Sequence, residues 1–302
     1  VIRRLVIGSR SSELAMRQAQ SVVDKLRLVI PETAIEIRTI STIGDRDKET
    51  ELHKMSAVGV FVKELEKALE RHEIDLAVHS LKDMPAKQPA DLVLSAVLER
   101  EDPGDVMVSN TGCLHDLPPG SDVGTGSLRR SIQLKLERPD LITLPLRGNI
   151  ETRLRKLDEG KYQAIIMAAA ALKRLGLGSR ITQYLPVDVF VPAGCQGIIG
   201  IEIRKEDTRL DELLKKLNHM PSWHEASAER AFLNTLGAGC HAPVGVKATC
   251  FSRDLTINAM AAKEGGDPVI FDSIKGDIFE AEKLGVRLAR EFAAKGAPDF
   301  IG

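Results

Sequence analysis

Between Ile74 and Pro85 the chain reads I-D-L-A-V-H-S-L-K-D-M-P, and no other stretch constrains the fold as much. Leu76, Ala77 and Val78 are apolar on consecutive positions, which suits a strand covered on both faces. The run then breaks into His79, Ser80, Lys82 and Asp83 before Met84-Pro85 stops it. A strand covered on both faces belongs in a mostly parallel sheet between helices, and the carboxyl edge of such a sheet is where α/β proteins bind ligands. An aspartate beside a lysine at that edge is therefore a candidate site. The alternative is an ordinary solvated strand exit.

The same strand-to-helix unit recurs along the chain. Residues 5–7 read as a strand, Gly8 to Ser12 as a turn and 13–29 as a helix, with Ser12 placed to cap the helix and Arg10 at its mouth. Strands are expected at 35–40 and 92–98 and a helix at 60–72, and the Arg100-Glu101-Asp102-Pro103-Gly104 turn marks a domain boundary. A second series starts at Asp105. Val123-Gly124-Thr125-Gly126-Ser127-Leu128-Arg129-Arg130 runs from a strand through a glycine turn into a helix, a geometry that offers backbone N–H groups to an anion. It lacks G-x-x-x-x-G-K-[ST] and keeps only part of the dinucleotide fingerprint, so it gives little support to a nucleotide.

A strand at 141–146 ends at Arg147-Gly148-Asn149, with Asn149 placed to cap a helix bearing Arg153 and Arg155, and a strand at 164–167 leads to Lys173 and Arg174. Residues 187–192 cross back and 198–204 return as a strand to the first unit. Beyond Pro221, a helix at 223–236, the segment Gly237 to Pro243, three alternating strands and a helix at 279–294 suit a small α+β domain. The expected division is 1–98 with 198–217, 104–192, and 221–302.

Lys and Arg number 42 against 43 Asp and Glu, a net charge of −1, so no overall field favours nucleic acid or a membrane surface. The amino end enters a strand pattern directly and no apolar run is long enough to span a bilayer. The four cysteines form no C-x-x-C pair, which fits a reducing, cytoplasmic setting. Cys250 sits in an apolar strand as an inert thiol would.

A positive patch must then be local, and the arginines supply it. Arg10, Arg129, Arg130, Arg147 and Arg153 all fall at helix starts, where a cation opposes the helix dipole by a few tenths to about 1 kcal/mol. A bound polyanion would reverse that sign, and arginine's planar fork matches carboxylates and phosphates; the alternative is salt bridging to nearby Asp and Glu. Cys240, between Gly239 and His241, lies in a tight exposed turn. A Cys240–His241 thiol hydrolase is one reading of it. A metal site is not expected, because adjacent residues rarely face one ligand and no second pair has zinc spacing.

Taken together, G-S-R-S-S-E-L-A (8–15), F-V-K-E-L-E (61–66), A-V-H-S-L-K-D-M-P (77–85), V-G-T-G-S-L-R-R (123–130), L-R-G-N-I-E-T-R-L (146–154), C-Q-G-I-I-G-I-E (195–202) and A-E-R-A-F-L (228–233) resemble the hydroxymethylbilane synthases, also called porphobilinogen deaminases. The resemblance runs almost end to end. It implies two α/β domains similar to periplasmic-binding-protein lobes, plus the small α+β domain with a three-stranded antiparallel sheet. It also implies a dipyrromethane cofactor on a thioether to Cys240, porphobilinogen as substrate, a monomer, and no nucleic-acid, membrane or metal partner.

Each pyrrole ring of such a chain carries two carboxylates, the polyanion that the arginines require. By motif position the resemblance assigns Arg10, Ser12, Arg129, Arg130, Arg147, Arg153 and Arg174 to carboxylates, with Ser80, Lys82, Thr125, Ser127 and Gln196 nearby. It assigns Asp83 to stabilising the cation formed as ammonia leaves. Val58 stands where a lysine is common, Cys195 where an aliphatic residue is usual, Gly126 where serine is frequent, and His241-Ala242 where other residues are commoner. A non-catalytic two-lobed anion-binding protein is the rival from another class.

Overall fold

The computed structural model describes residues 2–41, 62–239 and 242–301, which form two compact units. One holds residues 2–41, 62–101 and Ile198–Trp223, the other 102–197 and the chain from 224 on. The expectations placed on Val58, Phe61, Cys240 and His241 fall outside the described residues.

In the first unit β1 (Arg4–Ser9) leads into α1 (Glu13–Val29). Ser12 caps α1 by accepting from the Ala15 N–H, and the helix ends before Pro31, which cannot continue it. Ala15, Ala19, Val22, Val23 and Leu26 recur at helical spacing and form its buried face. β2 (Ala34–Thr39), α2 (Lys63–Glu70), β3 (Leu76–Ser80) and β4 (Leu92–Val97) follow. Leu76 and Val78 pack with Ile7, Val22 and Ile201 on one side of the sheet, while Ala77 packs with Leu65 and Leu69 of α2 on the other. This is the two-sided burial that the apolar run requires. The strand continues through His79 and Ser80 because each polar side chain there has a partner, Glu202 and Gln18 respectively.

The chain then supplies β5 (Asp105–Ser109), β6 (Asp122–Thr125), α3 (Leu128–Glu137), β7 (Ile142–Pro145), α4 (Ile150–Asp158), β8 (Ala164–Ala168), α5 (Ala169–Arg174) and β9 (Gln183–Tyr184) to the second unit. It returns as β10 (Ile199–Arg204) and α6 (Thr208–Leu214). The two five-stranded sheets, β2-β1-β3-β10-β4 and β7-β6-β8-β5-β9, share one topology. In each, three strands run parallel, and the fourth, the first strand after a crossing, lies antiparallel to both neighbours. Asn149 caps α4 by accepting from Thr152 N. Asn149→Ala should therefore lower stability by about 1 kcal/mol, read as a shifted urea midpoint at unchanged slope.

α7 (Met220–Leu236) starts three residues before the expected 223, since Pro221 is tolerated in a first turn. β11 (Val244–Phe251), β12 (Asp254–Ala262) and β13 (Val269–Asp277) form an antiparallel meander, followed by α8 (Ala281–Ala294). Phe232 of α7 and Phe292 of α8 meet edge to face at 5.2 Å. Gly285 permits the close approach, because a Cβ there would lie 2.2 Å from the Ala228 carbonyl. This segment belongs to the same compact body as 102–197. Val246 N donates to Pro192 O at 2.9 Å, and the fully buried Glu229 carboxylate accepts from Ala248 N and Cys195 N. Met260 and Ala262 also share a core with Ile132 and Val191. Cys250 is only half-buried on β11, not sealed in the core.

Candidate active site

In the first unit β1 and β3 run parallel, so Arg10 and the Ser80–Asp83 segment leave the sheet at the same edge. Leu81–Asp83 is a single 3-10 turn. Leu81 is buried, its N–H donates to Ile198 O at 3.0 Å, and its side chain covers Gly200, where a Cβ would lie 2.9 Å from Leu81 Cδ1. The turn is thus fixed at its first residue and leaves Lys82 and Asp83 half-buried at the edge. The Asp83 carboxylate makes no hydrogen bond or ion pair among the described residues. Ser80 and Gln18 exchange hydrogen bonds at 2.8 and 3.1 Å, while the Ser12 hydroxyl accepts the cap bond at 3.3 Å and keeps its own O–H to donate.

In the second unit the parallel strands β6, β7 and β8 deliver Thr125 and Ser127, Arg147 and Arg153, and, through α5, Arg174. Gly126 has no room for a side chain, since a Cβ would sit 2.7 Å from Leu146 O, and this is a physical reason against serine at that position. Gly148, at φ 112°, turns the chain into α4. Ser127 Oγ caps α3, and Thr125 Oγ1 accepts from Ser127 N at 3.2 Å. Arg153 Nε donates to Gly148 O at 2.8 Å and Arg174 Nη2 to Gly197 O at 2.6 Å.

Arg129 and Arg130 turn inward. They are 3% and 7% exposed, and both grip the fully buried Asp105. Arg129 Nη1 donates to Asp105 Oδ2 at 2.8 Å and to Val191 O at 2.6 Å. Arg130 approaches Oδ1 with Nη2 at 2.7 Å and Nε at 3.0 Å. Gln196 completes the cluster, its Nε2 donating to Pro103 O and Asp105 Oδ1 and its Oε1 accepting from Arg130. Burial alone pushes the Asp105 carboxyl up, but the two guanidiniums and their hydrogen bonds outweigh it and hold the group well below the usual carboxylate range. This is the salt bridging that the arginine pattern left open. Arg129 nonetheless keeps Nε and Nη2 without a partner among the described residues.

Asp105 is the residue that sequence reasoning passed over. Its one local signal is a carboxylate opening an otherwise apolar strand, D-V-M-V-S. Glu202, fully buried on β10, was passed over too, as was His79 beside it. Burial and the Glu202 charge push the neighbouring Glu66 carboxyl up, against an opposing pull from His79.

A family model described as porphobilinogen deaminase, dipyromethane cofactor binding domain, matches residues 5–212. A second, described as porphobilinogen deaminase, C-terminal domain, matches residues 223–294. Among curated relatives named porphobilinogen deaminase, that of Thiobacillus denitrificans is 46% identical over 294 residues, 97% of this chain and 96% of the relative. That of Thermus thermophilus is 43% identical over 302 residues, covering 99% of each. Of solved structures, the periplasmic VFT2 domain of Bordetella pertussis BvgS covers 72% of this chain and 86% of its own at 16% identity and a TM-score of 0.40, a distant likeness.

Proposed function

The chain belongs to the porphobilinogen deaminase family, and from that premise we propose which of its residues carry the reaction. The enzyme deaminates four porphobilinogen molecules, condenses them head to tail and releases the linear tetrapyrrole hydroxymethylbilane by hydrolysis, with ammonia as by-product. The dipyrromethane cofactor, when bound, supplies the free pyrrole position on which the first substrate is joined.

The donors of the second unit suit such a group by their chemistry. Arg147 and Arg153 follow β7 at the edge where Thr125 and Ser127 follow β6, Arg174 closes the helix that follows β8, and a guanidinium fork pairs with a carboxylate through two parallel bonds. Arg129 adds its Nε and Nη2, which have no partner among the described residues. Arg130 and Gln196 contribute from the Asp105 cluster that orients them. Cys240 carries the thioether. In the first unit Arg10, Ser12 and Lys82 hold substrate carboxylates, Ser80 joins them by exchanging its bond to Gln18 for one to the substrate, and Asp83 stabilises the positive charge that grows on the substrate pyrrole as ammonia departs, then assists the proton transfer. A carboxylate with no partner among the described residues, at a fixed sheet-edge turn, is the observation that carries this role.

No helix among the described residues is long and apolar enough to cross a membrane. The reading takes the enzyme as a cytoplasmic monomer.

Intact-protein mass spectrometry tests the attachment directly. The purified chain should exceed its sequence mass by two condensed porphobilinogen units, and Cys240→Ser should lose that excess. A chain at its bare mass that gains nothing when supplied with porphobilinogen would overturn it.

A further inference from the structure

We propose that Glu202 is a positioning residue for Asp83, holding both flanks of the Asp83 segment on one buried carboxyl group. The proposal rests on the reading of Asp83 as the charge-stabilising carboxylate. Four residues before Asp83, His79 Nε2 lies 3.0 Å from Glu202 Oε2; five residues after it, Gln88 Nε2 donates to Glu202 Oε1 at 3.1 Å. The two oxygens of Glu202 are thus divided between the strand that enters the turn and the loop that leaves it.

The sheet register explains how one residue reaches both. β3 and β10 are antiparallel, with Gly200 opposite His79 and Glu202 opposite Ala77, so His79, Gly200 and Glu202 share a face. Gly200 adds no side chain between the other two, and Leu81 closes over it. β10 therefore holds the Asp83 segment at three points, through Gly200 under Leu81 and through each Glu202 oxygen. His79 is 4% exposed and Glu202 is fully buried. Few side-chain positions would be as damaging to leave unpaired, which makes the arrangement rigid once formed.

Rigidity matters here because a charge-stabilising carboxylate acts through distance. Coulomb attraction falls as separation grows, and a misplacement of about 1 Å can lower a rate by up to roughly a hundredfold. Gln88 is the arm to cut first, since it is a half-buried loop residue whose replacement leaves the His79–Glu202 pair in place.

The test measures ammonia release by the holoenzyme for Gln88→Leu and Gln88→Lys, with urea midpoints taken alongside. Gln88→Leu removes the donor at similar bulk and should lower kcat by about tenfold with KM unchanged, together with a modest fall in the urea midpoint from the buried Glu202 oxygen left without its donor. Gln88→Lys restores a donor to Glu202 and should recover most of the rate. An unchanged kcat in Gln88→Leu would overturn the proposal, as would a rate loss that tracks the midpoint and is not recovered by Gln88→Lys. Asp83→Asn in the same assay separates the two readings. If it turns over at the wild-type rate, the role of Asp83 itself fails; if it is inactive while Gln88→Leu is normal, only the Glu202 anchor fails.

Discussion

Asp83→Asn should keep the wild-type urea midpoint and lose turnover by on the order of a thousandfold. The two halves of that expectation come from separate observations. The fold should not notice the change, because the carboxylate has no hydrogen bond or ion pair among the described residues and its turn is held through Leu81. An amide of the same shape leaves those anchors alone. Catalysis should notice it, because a unit charge at ~4 Å from a developing cation contributes up to ~4 kcal/mol at an effective dielectric of about 20, and the neutral amide removes that term. Asp83→Glu keeps the charge at a longer reach and should fall between the two. Ammonia release under saturating porphobilinogen measures this. A variant that keeps most of the rate, or one whose midpoint falls in step with its rate, would rule out the assigned role.

Asp105→Ala should instead act on the fold, destabilising it by about 3–5 kcal/mol, because it leaves the Arg129 and Arg130 guanidiniums buried without their counter-charge. Both lie inside the second unit, and Val191 O and Ile166 O accept from them without neutralising them. The pH dependence carries a sign. The two arginines hold Asp105 below its ordinary range although burial opposes them, so its contribution is fully present above the unfolded-state value of about 3.9 and declines as pH falls toward the folded-state value. Urea midpoints at neutral and acid pH should therefore converge for wild type and variant as acid is added. Replacing all three residues together by apolar ones of similar volume should recover much of the lost stability. A loss below about 1 kcal/mol for Asp105→Ala, the worth of an exposed ion pair, would show that this carboxylate does not balance the two charges.

What could be read from the sequence was local in character. The Leu76-Ala77-Val78 run specified a doubly covered strand, and Ser12 and Asn149 stood where a helix cap is needed within three residues of its target. The family motifs lay along the whole chain and agree with the matches at 5–212 and 223–294. What escaped was set by distant partners. Asp105 gains its meaning from arginines 24 and 25 residues away, and His79 from a glutamate 123 residues away. Five arginines at helix starts looked alike in spacing, yet Arg129 and Arg130 are committed to a buried carboxylate, because burial is not written in spacing. At Cys195 the resemblance suggested an aliphatic residue, whereas the backbone there, at φ 60°, is left-handed and favours glycine. The Glu229 carboxylate, 34 residues away in sequence, accepts from the N–H of that left-handed residue.

The strand order of the first sheet also has a consequence for the nascent chain. Among the described residues β4 pairs only with β10, and β10 separates it from β3. As the polypeptide emerges from the ribosome, β3 and β4 are complete long before Ile199–Arg204 exist, so both wait with unpaired backbone edges while the second sheet, whose strands all lie between Asp105 and Tyr184, can close on its own. Open edges of that kind are templates for pairing with other chains. Synthesis thus imposes an order in which the sheet that bears Asp83 is finished after the one that bears the arginines, and its vulnerability to misassembly ends only when β10 slides into the gap.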